Sequence, residues 1–203
     1  MGSHTENHTE KALPALLQRA DGLARARLSD RRYTHTLGVA DTAERLAKLH
    51  GLPPQKTRLA ALLHDVSRES GPDELLQSAG RYGIKPDEFA RESPIMLHGP
   101  VAAEEARREL GIQDPEVLGA IRIHTTGAPE IGSVALAVYV ADKIEPGRDY
   151  PSVEKLRELA ARDLYEAATS ILRATESHNE DQGRPTHPDS RRMLAWLEAR
   201  EAG

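Results

Sequence analysis

The chain has 203 residues, a formal net charge of -5 and no cysteine. This length suits one domain with a substantial core. The negative charge argues against a dedicated nucleic-acid binder. The lack of cysteine excludes disulfides and thiolate metal sites. No apolar run reaches the ~18 residues of a membrane span, and the polar first ten residues do not resemble a secretory leader, so we expect a cytoplasmic protein that binds neither nucleic acid nor membrane.

Helix signals follow one another along the first half of the chain. Residues 1–4 (Met-Gly-Ser-His) resemble a tag remnant and carry no weight. Apolar spacing together with proline, glycine and capping residues predicts helices over 11–28, 29–50, 53 to just past 65, 72–80 and 86–92. The helix over 29–50 would begin at the Ser29-Asp30 cap and stop at Gly51, where glycine favours the end of a helix.

The second half of the chain continues the same pattern. Helices are predicted over 99–110, 114–124, 131–144, 152–177 and 188–201. Alternation typical of a strand is confined to residues 134–140, and the flanks of that segment favour helix. We find no internal repeat and no low-complexity segment. The sequence therefore predicts an all-α helical bundle.

The most informative stretch is Leu62-Leu63-His64-Asp65, where two potential metal ligands end an apolar run. Burying an ionised carboxylate costs several kcal/mol unless it is paired or bound to a metal. His35, His98, His124 and Asp142 lie in similarly apolar surroundings. Six such residues at dispersed positions indicate a two-metal site that several helices assemble.

Each of these residues also has an ordinary structural explanation. A lone histidine on an apolar face is more often a hydrogen-bonded core residue, and Asp142 could form a salt bridge with an arginine. Taken together these explanations weaken, because six residues would each need a separate one. Imidazole suits iron, manganese, cobalt and zinc, and carboxylate suits harder cations. A carboxylate that bridges two ions ~3.5–4 Å apart is the arrangement used to hydrolyse phosphate esters and anhydrides.

The order of these residues resembles a known family. His35, then His64-Asp65, then Asp142 resembles the H…HD…D signature of the HD-domain metal-dependent phosphohydrolases. Three local motifs are more specific: residues 97–103 (LHGPVAA), 123–127 (IHTTG) and 141–149 (ADKIEPGRD). Together they resemble the bacterial symmetrical diadenosine tetraphosphate hydrolases of this superfamily, over about residues 32–164.

The resemblance implies an HD-domain helical bundle with a dinuclear metal site. One metal would be held by His35, His64, Asp65 and Asp142, and the other by His98 and His124 with Asp65 bridging. The family is associated with iron, and manganese or cobalt could replace it. The implied reaction cleaves diadenosine tetraphosphate into two ADP with a metal-activated water, and Asp65, His64, His98 and His124 would be catalytic.

A polyanionic substrate requires cations and hydrogen-bond donors near the metals. The candidate substrate-binding residues are Arg32, Arg68, Thr125, Thr126, Gly127, Lys143 and Arg148. For each basic residue the alternative is an ordinary surface charge. The family usually has a lysine near Arg68, and arginine keeps the charge but changes the geometry of phosphate binding. Glu145 and Asp149 could orient the ligands or Arg148.

The predicted organisation has three parts within one bundle. Residues 1–28 would form an N-terminal extension and first helix, 29–165 the HD domain, and 166–203 a C-terminal helical extension packed on that domain. His178 and His187 lie in this tail, outside the resemblance, and we interpret both as surface residues. A homodimer is compatible with the C-terminal extension.

Other functions remain open at this point. The main alternative is an HD phosphohydrolase that acts on another nucleotide, such as a nucleoside monophosphate or a guanosine alarmone. A cyclic-dinucleotide phosphodiesterase is disfavoured, because Tyr150-Pro151 lacks the preceding glycine of that group's signature. A non-catalytic nucleotide sensor would be expected to have lost ligands. An oxygenase would not need the basic residues, and a purely structural protein would not explain the buried acids.

Overall fold

The computed structural model describes residues 5–201, with side chains from 13 to 200, so the tag-like residues 1–4 lie outside the described residues. Within residues 5–201, eleven α-helices follow in order: α1 Thr5–Arg27, α2 Asp30–Leu49, α3 Pro54–Leu63, α4 Pro72–Tyr82, α5 Glu88–Glu92, α6 His98–Glu109, α7 Pro115–Ile123, α8 Ser133–Ile144, α9 Val153–Arg162, α10 Leu164–Asp181 and α11 Pro188–Glu201. A 3₁₀ turn, Pro94–Leu97, precedes α6. No strand occurs among the described residues. The predicted all-α fold is confirmed.

Local signals begin the helices as predicted. The Ser29 hydroxyl accepts a hydrogen bond from the Arg32 N–H and caps α2. Proline occupies the first position of α3, where no N–H is needed. The Asp114 carboxylate accepts hydrogen bonds from two backbone N–H groups and caps α7. These local signals set where α2, α3 and α7 begin.

Helix α8 is the centre of the bundle. Ten of its twelve residues are buried, from Val134 through Asp142 and again at Ile144. It contacts α2, α3, α7, α9 and α10. Each fully buried Val, Leu or Ile of such a helix contributes about 1.5–3 kcal/mol of hydrophobic stabilisation. A carboxylate near the end of this helix, Asp142, therefore needs compensating partners.

Several predicted helix boundaries differ from the structure, and three of the differences bear on the fold or the site. The long helix expected over 152–177 is two helices, because the Asp163 carboxylate accepts hydrogen bonds from the Tyr165 and Glu166 N–H groups and starts α10. Helix α3 ends at Leu63, so Asp65 lies in the turn that follows it. Helix α6 begins at His98, one residue before the predicted start.

The C-terminal helices pack on the rest of the bundle. Helix α10 contacts α8, α9 and α11, and the core includes Ile171, Leu172, Met193 and Leu197 from this region. Among the helices between residues 5 and 201, none combines the length and apolar composition needed to cross a membrane.

A candidate metal centre at the ends of five helices

The six predicted metal ligands lie together where five helices meet. His35 is in α2, His64 and Asp65 directly follow α3, His98 opens α6, His124 directly follows α7, and Asp142 is near the end of α8. All are buried except His35, whose side chain is 13% exposed. Helix ends place these side chains at one point although they are far apart in the sequence.

Backbone carbonyls fix the orientation of three of the histidines. Their Nδ1 atoms lie within hydrogen-bond distance of the carbonyl oxygen three residues earlier: His64 with Ala61 at 2.6 Å, His98 with Ile95 at 2.5 Å and His124 with Ile121 at 2.8 Å. A carbonyl oxygen only accepts, so each Nδ1 carries the proton. Each Nε2 then presents a lone pair, which is the atom a metal ion binds.

His35 is oriented by a carboxylate instead of a carbonyl. Its Nδ1 lies 3.0 Å from the Glu145 Oε1 atom. Glu145 is buried, and its Oε2 accepts a hydrogen bond from the Gly147 N–H at 2.5 Å. A Cβ atom on Gly38 would lie 2.7 Å from this Oε2, so the glycine leaves room for the carboxylate. Glu145 therefore turns the His35 Nε2 towards the other ligands.

Asp65 lies among the four imidazole groups. Its Oδ1 is 3.3 Å from His98 Nε2 and 3.5 Å from His124 Nε2. Its Oδ2 is 3.6 Å from His64 Nε2 and 3.9 Å from His35 Nε2. Burial raises the pKa of the Asp65 carboxyl, but its attraction to the His64, His124 and His98 imidazoles outweighs burial and holds that pKa well below its usual range. Asp65 is therefore ionised at neutral pH, with one oxygen towards each pair of histidines.

Asp142 is ionised for a related reason. Burial raises the pKa of its carboxyl, but the charge of Lys143 and the contact with His35 hold it well below its usual range. Lys143 Nζ donates to Oδ2 at 2.6 Å, and Arg148 donates to Oδ1 at 2.8 Å. The same neighbourhood raises the pKa of His35: burial lowers it, but Asp142 and Glu145 together exceed that effect.

The lone pairs in this cluster face one another in a way that requires a cation or a proton. His98 Nε2 and His124 Nε2 are 2.9 Å apart, although both Nδ1 atoms carry the protons. The buried His64 Nε2 atom has no hydrogen-bond donor or acceptor among the described residues, and the His35 Nε2 atom faces the Asp142 Oδ1 atom at 3.1 Å. Burial lowers the pKa of His124 to about 4, so this ring is neutral at pH 7. The donor set fits a divalent metal.

Distance alone assigns the donors to two overlapping groups. Possible ligand atoms of His35, His64 and Asp142 lie within 4.8 Å of one another, as do those of His64, Asp65 and His124. His64 belongs to both groups. The donors therefore form one connected cluster in which a metal ion could be held.

Cationic side chains surround one side of the cluster. Arg32 donates to Asp65 Oδ2 at 3.1 Å, and Arg148 and Lys143 contact Asp142. A cavity of about 560 Å³ here is lined by Arg31, Arg32, His35, Glu145 and Arg148.

Two other predicted residues do not join this group. Among the described residues, the Arg68 side chain has neither an ion pair nor a hydrogen bond, and the Arg68 backbone N–H donates to the Asp65 carbonyl. Asp149 is exposed, and its side chain forms no hydrogen bond or ion pair with a described residue.

The turn after His124 lies on the other side of the cluster. Thr125 Oγ1 is 3.1 Å from His124 Nε2 and 3.4 Å from His98 Nε2. The Thr126 hydroxyl donates to the Gly127 carbonyl, so it is turned away from the histidines. Gly127 has a φ of +67° and its Cα approaches Met193 of α11 closely, which leaves no space for a Cβ. Of the three predicted turn residues, only the Thr125 hydroxyl lies among the candidate ligands.

The C-terminal tail forms a hydrogen bond with this turn, a contact that the sequence did not predict. Ser190 donates to the Thr126 carbonyl at 2.8 Å. His187, expected on the surface, has a side chain only 10% exposed and lies 3.2 Å from Asp87. Its Nδ1 accepts the Asp189 N–H, so it caps α11. In the sequence, the feature that indicates this capping role is the position of His187 directly before Pro188, the first residue of α11. His178 is exposed, as predicted.

The part of the chain that contains the six candidate ligands matches a known protein family. The model of the HD domain family matches residues 32–147. The chain is 35% identical to the symmetrical bis(5'-nucleosyl)-tetraphosphatase of Bacillus subtilis, over 89% of this chain and 98% of that protein. It is 38% identical to the protein of the same name from Halalkalibacterium halodurans, over 83% of this chain and 89% of that protein.

A solved structure has the same fold. It is a Clostridium acetobutylicum protein described as a predicted HD superfamily hydrolase involved in NAD metabolism. The two structures superpose with a TM-score of 0.87 at 31% identity, covering 90% of this chain and 97% of the other. The structural similarity therefore extends beyond residues 32–147, which the HD domain model matches.

Proposed function

This chain belongs to the HD domain family of symmetrical bis(5'-nucleosyl)-tetraphosphatases, and we propose that it hydrolyses diadenosine tetraphosphate into two ADP. The observation that carries the proposal is the ring of four imidazole Nε2 atoms around the ionised Asp65, with three cationic side chains beside it. Nitrogen and oxygen donors of this kind suit a metal that acts on phosphoanhydrides.

We propose that His35, His64, Asp65 and Asp142 hold one metal, and that His98 and His124 hold a second with Asp65 shared. Iron is the metal we propose, and the same donors suit manganese or cobalt. When bound, the metals supply Lewis acidity and an activated water. The position of Asp65, with its two oxygens towards different pairs of histidines, supports the shared role.

The remaining residues act on the substrate and on the ligands. Arg32, Lys143 and Arg148 would bind and neutralise phosphate oxygens, since guanidinium and ammonium groups make charge-assisted hydrogen bonds. The Thr125 hydroxyl would donate to a phosphate oxygen beside His98 and His124. Glu145 holds His35 in one tautomer and orientation. Arg68 would act as a more distant positive charge.

Turnover of diadenosine tetraphosphate by the metal-reconstituted protein tests the proposal, with chromatography of the products. We expect ADP as the sole product. Inorganic phosphate, pyrophosphate or AMP would contradict symmetrical cleavage. In the absence of turnover with iron, manganese or cobalt, a panel of nucleoside monophosphates and guanosine alarmones tests the alternative substrates.

Two variants connect turnover to the site. Asp65→Ala is expected to abolish both metal binding and turnover, because it removes the carboxylate between the histidines. Asp149→Ala, an exposed acid in the loop next to the site, is the matched control and should retain both. Full turnover in Asp65→Ala would refute the two-metal interpretation.

Three further points are proposals that these tests do not address. We propose a cytoplasmic protein with parts at 1–28, 29–165 and 166–203, the central part being the HD domain. We also propose a homodimer, which light scattering of the purified protein would detect. The packing of α10 against α8 supports treating the tail as part of the same domain.

A further inference from the structure

A second cavity, of about 230 Å³, lies beside the turn after His124. Apolar side chains of Ile84, Met96, Leu97 and Ile123 line one part of it, and the His187 imidazole and the charged side chains of Lys85, Asp87, Arg122 and Asp189 line the rest. It is separate from the cavity of Arg32, His35 and Arg148. Cavities with apolar walls and a few polar groups are typical of small-molecule sites.

Thr125 connects this cavity to the metal centre. The residue lines the cavity, and its hydroxyl oxygen lies 3.1 Å from His124 Nε2 and 3.4 Å from His98 Nε2. These two histidines face the Oδ1 atom of Asp65. The other cavity contains Arg32 and His35, which face Oδ2. The two cavities therefore flank opposite oxygens of the same carboxylate.

Residues from distant parts of the chain hold the wall of this cavity in place. His187 Nδ1 accepts the Asp189 N–H at 3.1 Å, so in the neutral ring Nε2 carries the proton and donates to Asp87 at 3.2 Å. The ring also packs edge-on against Phe89, with centroids 5.0 Å apart. These contacts join the C-terminal segment to Asp87 and Phe89 at the start of α5, beside the cavity.

We propose that this cavity binds one nucleoside of the dinucleoside substrate, with His187 as a residue that determines its affinity. The inference rests on the proposed function. A substrate cleaved in the middle of its phosphate chain extends on both sides of the reacting centre, and the two cavities provide that space. The volume suits a single nucleoside, not the whole molecule, since sites for complete drug-sized ligands are about 300–1,000 Å³. The flat apolar faces of a base match the walls, and its polar edge matches His187 and Arg122.

The test compares the binding of ADP with that of inorganic pyrophosphate to the metal-loaded protein, by calorimetry. Ile84→Trp fills the cavity, and His187→Ala removes the wall that the C-terminal segment supplies. Leu76→Trp places the same ring at an exposed position of α4 outside the cavity and is the control. We expect both cavity variants to weaken ADP binding by about tenfold or more, with pyrophosphate binding within about twofold of the parent protein. His187→Gln, which keeps a donor for Asp87, should recover part of the ADP affinity.

The outcomes separate this inference from the proposed function. Turnover of diadenosine tetraphosphate by the parent protein together with unchanged ADP binding in both cavity variants overturns the nucleoside site alone. An equal loss of ADP and pyrophosphate binding also overturns it, because the damage would then lie in the metal centre. Absence of both turnover and ADP binding in the parent protein overturns the proposed function and this site with it.

Discussion

Replacement of Gly38 by alanine tests how the metal centre is held together. The added Cβ would lie 2.7 Å from Glu145 Oε2, whereas ordinary contacts begin at 3.4 Å. The carboxylate must therefore retreat by about 0.7 Å. It cannot do so while keeping both its 3.0 Å contact with His35 Nδ1 and its hydrogen bond from the Gly147 N–H. His35 would lose the group that fixes its tautomer and direction.

The expected magnitudes differ for stability and for metal binding. Alanine in place of glycine inside α2 favours folding by roughly 0.5–1 kcal/mol. Loss of a hydrogen bond to a charged group costs about 1.5–3 kcal/mol. These effects partly cancel, so the free energy of unfolding should fall by no more than about 2.5 kcal/mol. Loss of a partner that orients a metal-binding histidine lowers metal affinity about 10–100-fold.

The assay is calorimetric titration of the chelator-treated protein with Mn²⁺, alongside urea denaturation without metal. Gly22→Ala in α1 is the matched control, because a Cβ there meets no atom within 4 Å. The control should gain stability and keep the metal affinity of the parent protein. A Gly38→Ala protein that folds and binds metal with the affinity of the parent would refute the role given to Glu145.

Three further predictions concern packing, pH and a helix start. Gly99→Ala would place a Cβ 2.8 Å from the Arg122 carbonyl oxygen, so α6 and α7 must separate. We expect the free energy of unfolding, measured by urea denaturation, to fall by about 1–3 kcal/mol and turnover to drop. Unchanged stability would contradict this. Burial lowers the pKa of His124 from 6.5 to about 4. As the pH falls, His124 is therefore protonated in the unfolded chain before it is protonated in the folded protein. The free energy of unfolding should then drop by up to about 3 kcal/mol between pH 6.5 and 4. Denaturation of chelator-treated protein across this range should show a shallower slope for His124→Asn, and an identical slope would contradict the assignment. Asp163→Ala removes the cap of α10 and should cost about 0.5–2 kcal/mol in thermal or urea unfolding while diadenosine tetraphosphate turnover, the proposed activity, stays intact.

Local chemistry explains which features of the fold could be read from the sequence. Helix caps such as Ser29 and Asp114 act within three residues, so their sequence signal is complete. The break at Asp163 was missed because an aspartate within an amphipathic pattern can either continue the helix or bond to its own backbone. Packing decides between those two states.

The candidate ligands were identifiable because burying a carboxylate or imidazole within an apolar run costs free energy unless the group is paired or bound to a metal. The orientation of three histidines is also local, since each bonds to a carbonyl three residues earlier. The sequence alone thus determined an all-α bundle and the six residues that meet in it.

Only the tertiary structure decided how those residues are held and what surrounds them. Glu145 orients His35 across 110 positions of the chain, and His187 meets Asp87 across 100. Such pairs carry no periodic or capping signal, because they depend on where whole helices pack. The same packing places Arg32 on Asp65 and brings the C-terminal segment to the turn after His124. The candidate metal ligands follow from burial energetics within short segments, while the cavities beside them follow from contacts between distant segments.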